Sequence, residues 1–195
     1  MSEAYITLVS GLPRSGTSMM MQMLQAGGLP LLTDGLRAPD EHNPRGYFEH
    51  EDVKHGRNKL DWLAQAEGKA VKVIHLLLQQ LPTDRDYRVI FMLRHLEEVI
   101  PSQKVMLKQQ GKSPAGLSDT ALAGIFEKQL ASVRQWLETH PNFHVLYVNH
   151  RDVIEDTAAV AAQINQFLGG SLDVSAISAA VNPTLHRQRH TVSPR

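Results

Sequence analysis

The stretch that decides the fold is Ala4-Tyr-Ile-Thr-Leu-Val9-Ser-Gly11-Leu-Pro13-Arg14-Ser15-Gly16-Thr17-Ser18. Residues 4–9 form a short apolar, β-branched run and read as a buried strand. Residues 11–16 are a glycine turn, and residues 17 to about 26 read as an apolar helix whose Met19, Met20, Met21 and Met23 form its buried face. In a strand–loop–helix of this kind, backbone N–H groups and the positive end of the new helix converge on one point, where a phosphate group fits. The spacing follows the phosphate-loop pattern G-x-x-x-x-G-K-[ST] with one exception. Thr17 stands at the lysine position, and the cation has moved to Arg14 inside the loop.

Downstream, short β-branched runs alternate with helical patterns. Further strands are expected at residues 70–74, 87–93 and 144–148, and helices at about 51–66, 97–110, 118–139 and 157–168. In the long helix Leu122, Ile125, Phe126, Leu130, Val133 and Leu137 keep helical spacing, with Ser118 as its N-cap and Gly169-Gly170 closing the next helix. This alternation predicts a single α/β domain over residues 1–195: a phosphate-loop-NTPase-like, doubly wound, mostly parallel sheet with helices on both faces.

Composition narrows the function. The chain has 195 residues, 42% hydrophobic and 21% charged, as an ordinary globular protein does. Twenty basic side chains balance twenty acidic ones, which argues against a protein that wraps nucleic acid or coats an anionic membrane. The absence of cysteine removes disulfides, thiolate metal sites and a thiol nucleophile. No run of eighteen apolar residues is present, and the N-terminal segment lacks the features of a secretory signal, so a cytoplasmic location is expected. The ten histidines show no metal-ligand spacing, and no metal is expected.

Ligands of open α/β sheets bind outside the carboxyl ends of the strands. That rim offers Arg14, His75, Arg94 and Arg151, and no strand ends directly in the carboxylate that would hold Mg²⁺ in a nucleoside triphosphatase. A donor that travels without a metal fits better than ATP. Kinase-type phosphotransfer by a degenerate loop is the alternative, as is a non-catalytic nucleotide-binding protein on the same fold.

At these residues the chain resembles the sulfotransferases that use 3′-phosphoadenosine 5′-phosphosulfate (PAPS). Their first signature, a strand–loop–helix that binds the 5′-phosphosulfate, is matched by Pro13-Arg14-Ser15-Gly16-Thr17-Ser18; tyrosylprotein sulfotransferases share the arginine form. The second, an arginine ending a strand and a serine eight residues later, binds the 3′-phosphate and is matched by Arg94 and Ser102. The stretches Val145–Ile154 and Ile164-Asn-Gln-Phe-Leu-Gly169 look like the family's scaffold. Lys72-Val-Ile-His75, followed by Leu81-Pro82, is similar to its Lys-Thr-His…Leu-Pro segment, except that Val73 stands at the lysine position. Lys72 is one residue off and is expected on the opposite strand face.

The resemblance implies in-line transfer of a sulfuryl group from PAPS to an acceptor hydroxyl or amine on a small molecule, carbohydrate or peptide, leaving adenosine 3′,5′-bisphosphate. Arg14 and the loop N–H groups would stabilise the charge on the bridging oxygen, a contribution of about 3–4 kcal/mol per donor. His75 is the first choice for the general base, and a loop carboxylate, Asp34 or Glu49, is the rival. Residues 27–50 carry no period and suggest an acceptor lid contacted through Tyr47 and Phe48, or a linker whose aromatics pack on the core. The basic tail, residues 182–195, lacks the glycine motif that covers the 3′-phosphate in cytosolic relatives.

Overall fold

The computed structural model describes residues 5–36, 46–56, 60–109, 111 and 116–181. The basic tail and much of the proposed lid, including Asp40, Glu41 and His42, lie outside these residues.

Five strands form one sheet in the order β2-β3-β1-β4-β5, and every pairing is parallel. They are β1 (Tyr5–Gly11), β2 (Leu31–Leu32), β3 (Ala70–Lys72), β4 (Asp86–Leu93) and β5 (Phe143–Asn149). β1 lies in the middle. The chain leaves it for β2 on one side and later returns across it to β4 on the other, so the loop after β1 opens where the winding reverses.

Alternate strand residues feed two cores. Ile6, Leu8, Val71, Val89 and Phe91 face one side, where they meet Trp62, Leu63, Val133 and Leu137. Val9, Ala70, Ile90 and Met92 face the other, against Met20, Met21, Met23, Leu24, Val160 and Ile164. A strand buried on both faces has no polar phase, which explains the unbroken apolar runs. α1 (Thr17–Ala26), α6 (His150–Glu155), α7 (Thr157–Phe167) and α8 (Val174–Ala179) cover the second face. α2 (Glu51–Lys54), α3 (Leu63–Ala66) and α5 (Asp119–Glu138) cover the first, and α4 (Leu96–Gln109) follows β4.

Several expectations need correction. The helix expected over 51–66 is two four-residue helices, because Gly56 takes a left-handed φ of 56° that a helix cannot continue. The strand expected over 70–74 stops at Lys72, and residues His75–Gln80 form a 3-10 turn. Only the C-terminal half of the α5 stripe is buried: Val133 and Leu137 are in the core, whereas Ile125 is 39% exposed. Ser118 caps that helix as read, accepting from the Ala121 N–H. Met19 is only partly buried, while Met20, Met21 and Met23 are fully so.

Candidate functional site

The glycine loop crosses the carboxyl end of β1 with a backbone that few residues tolerate. At Gly11, φ is 145° and a Cβ would sit 2.6 Å from both the Met92 carbonyl oxygen and Ser15 Oγ. At Gly16, φ is 102° and a Cβ would sit 2.7 Å from His150 Cδ2. Arg14 adopts a left-handed φ of 69° without being glycine, a strain found mainly where function sets the backbone. α1 then starts with no side-chain cap and no carboxylate in its first turn. Its N–H groups and positive end are thus suited to an anion. Ser15 Oγ is buried with no hydrogen-bond partner among the described residues. A buried hydroxyl left without a partner at a helix start can be satisfied by a bound anion.

Two sequence motifs converge here. Arg14 Nε donates to Ser102 Oγ at 2.8 Å across 88 residues of sequence. Arg94, at the end of β4, donates from Nη1 to the Arg14 carbonyl oxygen at 3.1 Å and from Nε to Glu98 Oε2 at 2.7 Å. The i,i+4 spacing of Arg94 and Glu98 alone would suit a solvated surface pair. The pair exists, but its side chains are only 10% and 11% exposed, and it stands inside the site. Breaking a pair buried to this degree costs about 3–5 kcal/mol. Ser102 itself is buried.

On the other side of the loop, Lys72 lies on the strand face opposite Val73, and that face is the one beside the start of α1. Its Nζ lies 3.2 Å from Ser18 Oγ, donates to the Tyr47 carbonyl oxygen at 2.9 Å and is 3.6 Å from Glu49 Oε1. Ala70, two residues earlier on the same strand face, packs in the core beneath α1, so Lys72 is the residue that faces the helix start. Glu49 Oε2 also pairs with Lys54 Nζ at 3.1 Å. An ammonium on β3 therefore stands beside the first turn of α1, where the loop itself has Thr17 in place of lysine.

The remaining candidates sit differently. His75 is 2% exposed, and its Nε2 lies 3.0 Å from Gln129 Oε1 on α5. Burial holds its pKa below the ordinary 6.5, against the Gln129 hydrogen bond and the nearby Gly11 backbone, although no hydrogen bond of normal geometry reaches Nδ1. Asp34 accepts from the Leu36 N–H at 2.9 Å and from the Glu51 N–H at the start of α2. Its slight burial raises its pKa, but these N–H groups and the charges of His50 and Lys54 bring it net below the usual carboxylate value. Tyr47 is buried and Phe48 packs against the core beneath α1, as the linker reading had it.

Beside the loop a cavity of about 440 Å³ opens over the ends of β4 and β5. Leu12, Ser15, Met92 and Leu130 form much of its wall, with Arg94, Arg134 and Arg151 at its charged edge. Among the described residues no cluster of three or more His, Asp or Glu could hold a metal ion, and no helix is long and apolar enough to cross a membrane. Sequence reading missed His150 under Gly16, Gln129 and Glu98. Only Glu98 left a signal, its i,i+4 spacing from Arg94.

Comparisons with known proteins show the family. The family model described as the sulfotransferase domain matches residues 6–188. Sulfotransferase 1A1 of the rat and that of the mouse are each 27% identical over 191 residues, covering 91% of this chain and 64% of theirs. The chain thus spans less than two thirds of the length of these curated relatives. The fold is similar to that of mouse sulfotransferase SULT7A1 in complex with PAP (TM-score 0.60, 17% identity, 90% of this chain and 62% of that one). It is also similar to the sulfotransferase domain of the Synechococcus PCC 7002 olefin synthase (TM-score 0.59, 18% identity, 98% and 90%). With the phosphate-type loop, the arginine–serine pair and a family match that runs through nearly the whole sheet, the chain belongs to the sulfotransferase domain family.

Proposed function

We propose that this protein transfers a sulfuryl group from PAPS to an acceptor hydroxyl or amine and releases adenosine 3′,5′-bisphosphate. The observation that carries the reading is the meeting of Arg14, Arg94 and Ser102, which joins the two donor motifs in one site. Residues 13–18 hold the 5′-phosphosulfate end: Pro13 shapes the loop, and the N–H groups near Ser15, Gly16, Thr17 and Ser18 point at the anion. Arg94 and Ser102 receive the 3′-phosphate, where a guanidinium fork matches phosphate geometry.

During transfer the acceptor oxygen or nitrogen forms a bond to sulfur as the bond from sulfur to the bridging oxygen breaks. Arg14 and Lys72 flank the helix start and stabilise the charge that grows on the departing oxygen. The acceptor's proton goes to Glu49, which is held near the loop through Lys72 and has a side chain 21% exposed. His75 is buried and ties the segment after β3 to α5 through Gln129. Asp34 fixes the start of α2. No step assigned to these residues calls for a metal. A chain without cysteine suits a reducing cytoplasm, and we place the reaction there, with a small molecule, carbohydrate or peptide as acceptor.

A titration of metal-free adenosine 3′,5′-bisphosphate against ATP with Mg²⁺ tests the donor assignment. Tight metal-free binding, lost in Arg94→Ala, is the expected result. Preference for ATP with Mg²⁺ would return the protein to phosphotransfer.

A further inference from the structure

The cavity beside the loop contains more positive charge than the two donor motifs explain. Arg94, Arg134 and Arg151 line it together, against the carboxylates of Glu98 and Asp152. They come from three elements: the end of β4, the C-terminal half of α5 and the start of α6.

Two of the three are mounted in the same way. Arg94 gives its Nε to Glu98, four residues on, at 2.7 Å, and Arg151 gives its Nε to Glu155, also four residues on, at 2.6 Å. A carboxylate that grips a guanidinium at Nε fixes the plane of the fork and directs its terminal nitrogens elsewhere. Arg134 is held by stacking instead, its guanidinium carbon 5.2 Å from the centre of the Tyr147 ring. Asp152 is engaged by Asn149, whose Nδ2 donates to its Oδ2 at 2.8 Å. Both cavity carboxylates are thus already bound to side chains of the protein, while three guanidinium groups line the same cavity as Ser15.

From this arrangement we infer that Arg134 and Arg151 complete the 3′-phosphate subsite with Arg94. The inference rests on the donor assignment above. It predicts that discrimination for the 3′-phosphate, not nucleotide binding as such, depends on these two side chains.

The experiment compares adenosine 3′,5′-bisphosphate with 5′-AMP by calorimetric titration of the wild type, Arg134→Gln, Arg151→Gln and the double variant, at fixed ionic strength. All four are also checked for unchanged thermal unfolding. In the double variant the ratio of the two affinities is expected to fall by about tenfold or more, as when charge-assisted hydrogen bonds to a phosphate are lost, with 5′-AMP binding nearly unchanged. A ratio equal to the wild-type ratio overturns the inference. So does an equal loss for both nucleotides, which would mark a general electrostatic effect. Should the wild type bind the two nucleotides alike, the donor assignment itself fails and the subsite with it, a result distinct from a wild-type preference that survives both substitutions.

Discussion

Three side chains are candidates for the base of the proposed transfer, and their surroundings separate them. Glu49 contacts Lys72 and Lys54, His75 is shut away against Gln129, and Asp34 caps backbone N–H groups. Glu49→Gln is expected to lower kcat by about 10²–10⁴-fold, the ordinary contribution of a general base, with the KM for PAPS little changed. His75→Gln is expected to leave kcat within a few-fold. Steady-state kinetics on both variants with one acceptor decide the matter, and the reverse pattern would give the role back to the histidine. The loop, Arg94 and Ser102 were legible in the sequence because each is fixed by spacing within one segment. Lys72 was not. Its place depends on β3 ending at residue 72 and on which strand face meets α1, and a three-residue strand carries too little alternation to show that. Glu98 was visible only as the other half of a possible surface pair, since burial distinguishes a structural ion pair from a solvated one and sequence does not report burial.

The elements were legible wherever a pattern repeated over enough residues. α1, β4, β5 and α7 fall within a residue or two of their expected bounds, because both-face burial gives β4 an apolar run from Val89 to Leu93 and amphipathic packing gives the helices a period, while the partly exposed edge strand β5 keeps a β-branched and aromatic run between turn residues. The two-residue β2 and the short α6 and α8 have no length over which a period can declare itself. Within the sheet, β4 carries a polar group it does not satisfy. Tyr87 stacks on Phe143 of β5 with ring centroids 4.5 Å apart, and its hydroxyl is buried with no hydrogen-bond partner among the described residues. That burial pushes its pKa from 10.0 up to about 12. The unfolded chain ionises first, so this group's contribution to stability is full below pH 10 and is lost as pH rises toward the folded value. Tyr87→Phe keeps the stacked ring and removes the hydroxyl. It is expected to hold or raise stability at neutral pH, by up to about 1 kcal/mol, and to flatten the alkaline loss between pH 10 and 12. Urea unfolding of both proteins at neutral and alkaline pH checks this, and a variant that loses stability at neutral pH would mean that the hydroxyl has a partner.

Over the whole molecule, equal numbers of acids and bases conceal a sorting by position. Arg14, Lys72, Arg94, Arg134 and Arg151 gather along the carboxyl rim of one sheet, and α5, which carries Arg134, packs on the segment after β3. His75 and Gln129 form a polar tie across that packing, inside an otherwise apolar layer. A buried imidazole in this position makes overall stability sensitive to acid, and the sign follows from its lowered pKa. The unfolded state takes up a proton near the ordinary 6.5 while the folded state still resists it. The neutral ring therefore contributes fully above 6.5, and the contribution is lost as pH falls through the folded value. The wild type is expected to lose melting temperature on acidification from about pH 6.5, where a free histidine begins to charge. His75→Gln keeps a hydrogen-bonding amide opposite Gln129 without a titrating ring. It should start at or somewhat below the wild-type stability at neutral pH and then fall less steeply, so that the two curves converge or cross in acid. Parallel curves would show that acid enters the fold elsewhere and that the α5 tie is indifferent to the charge on His75.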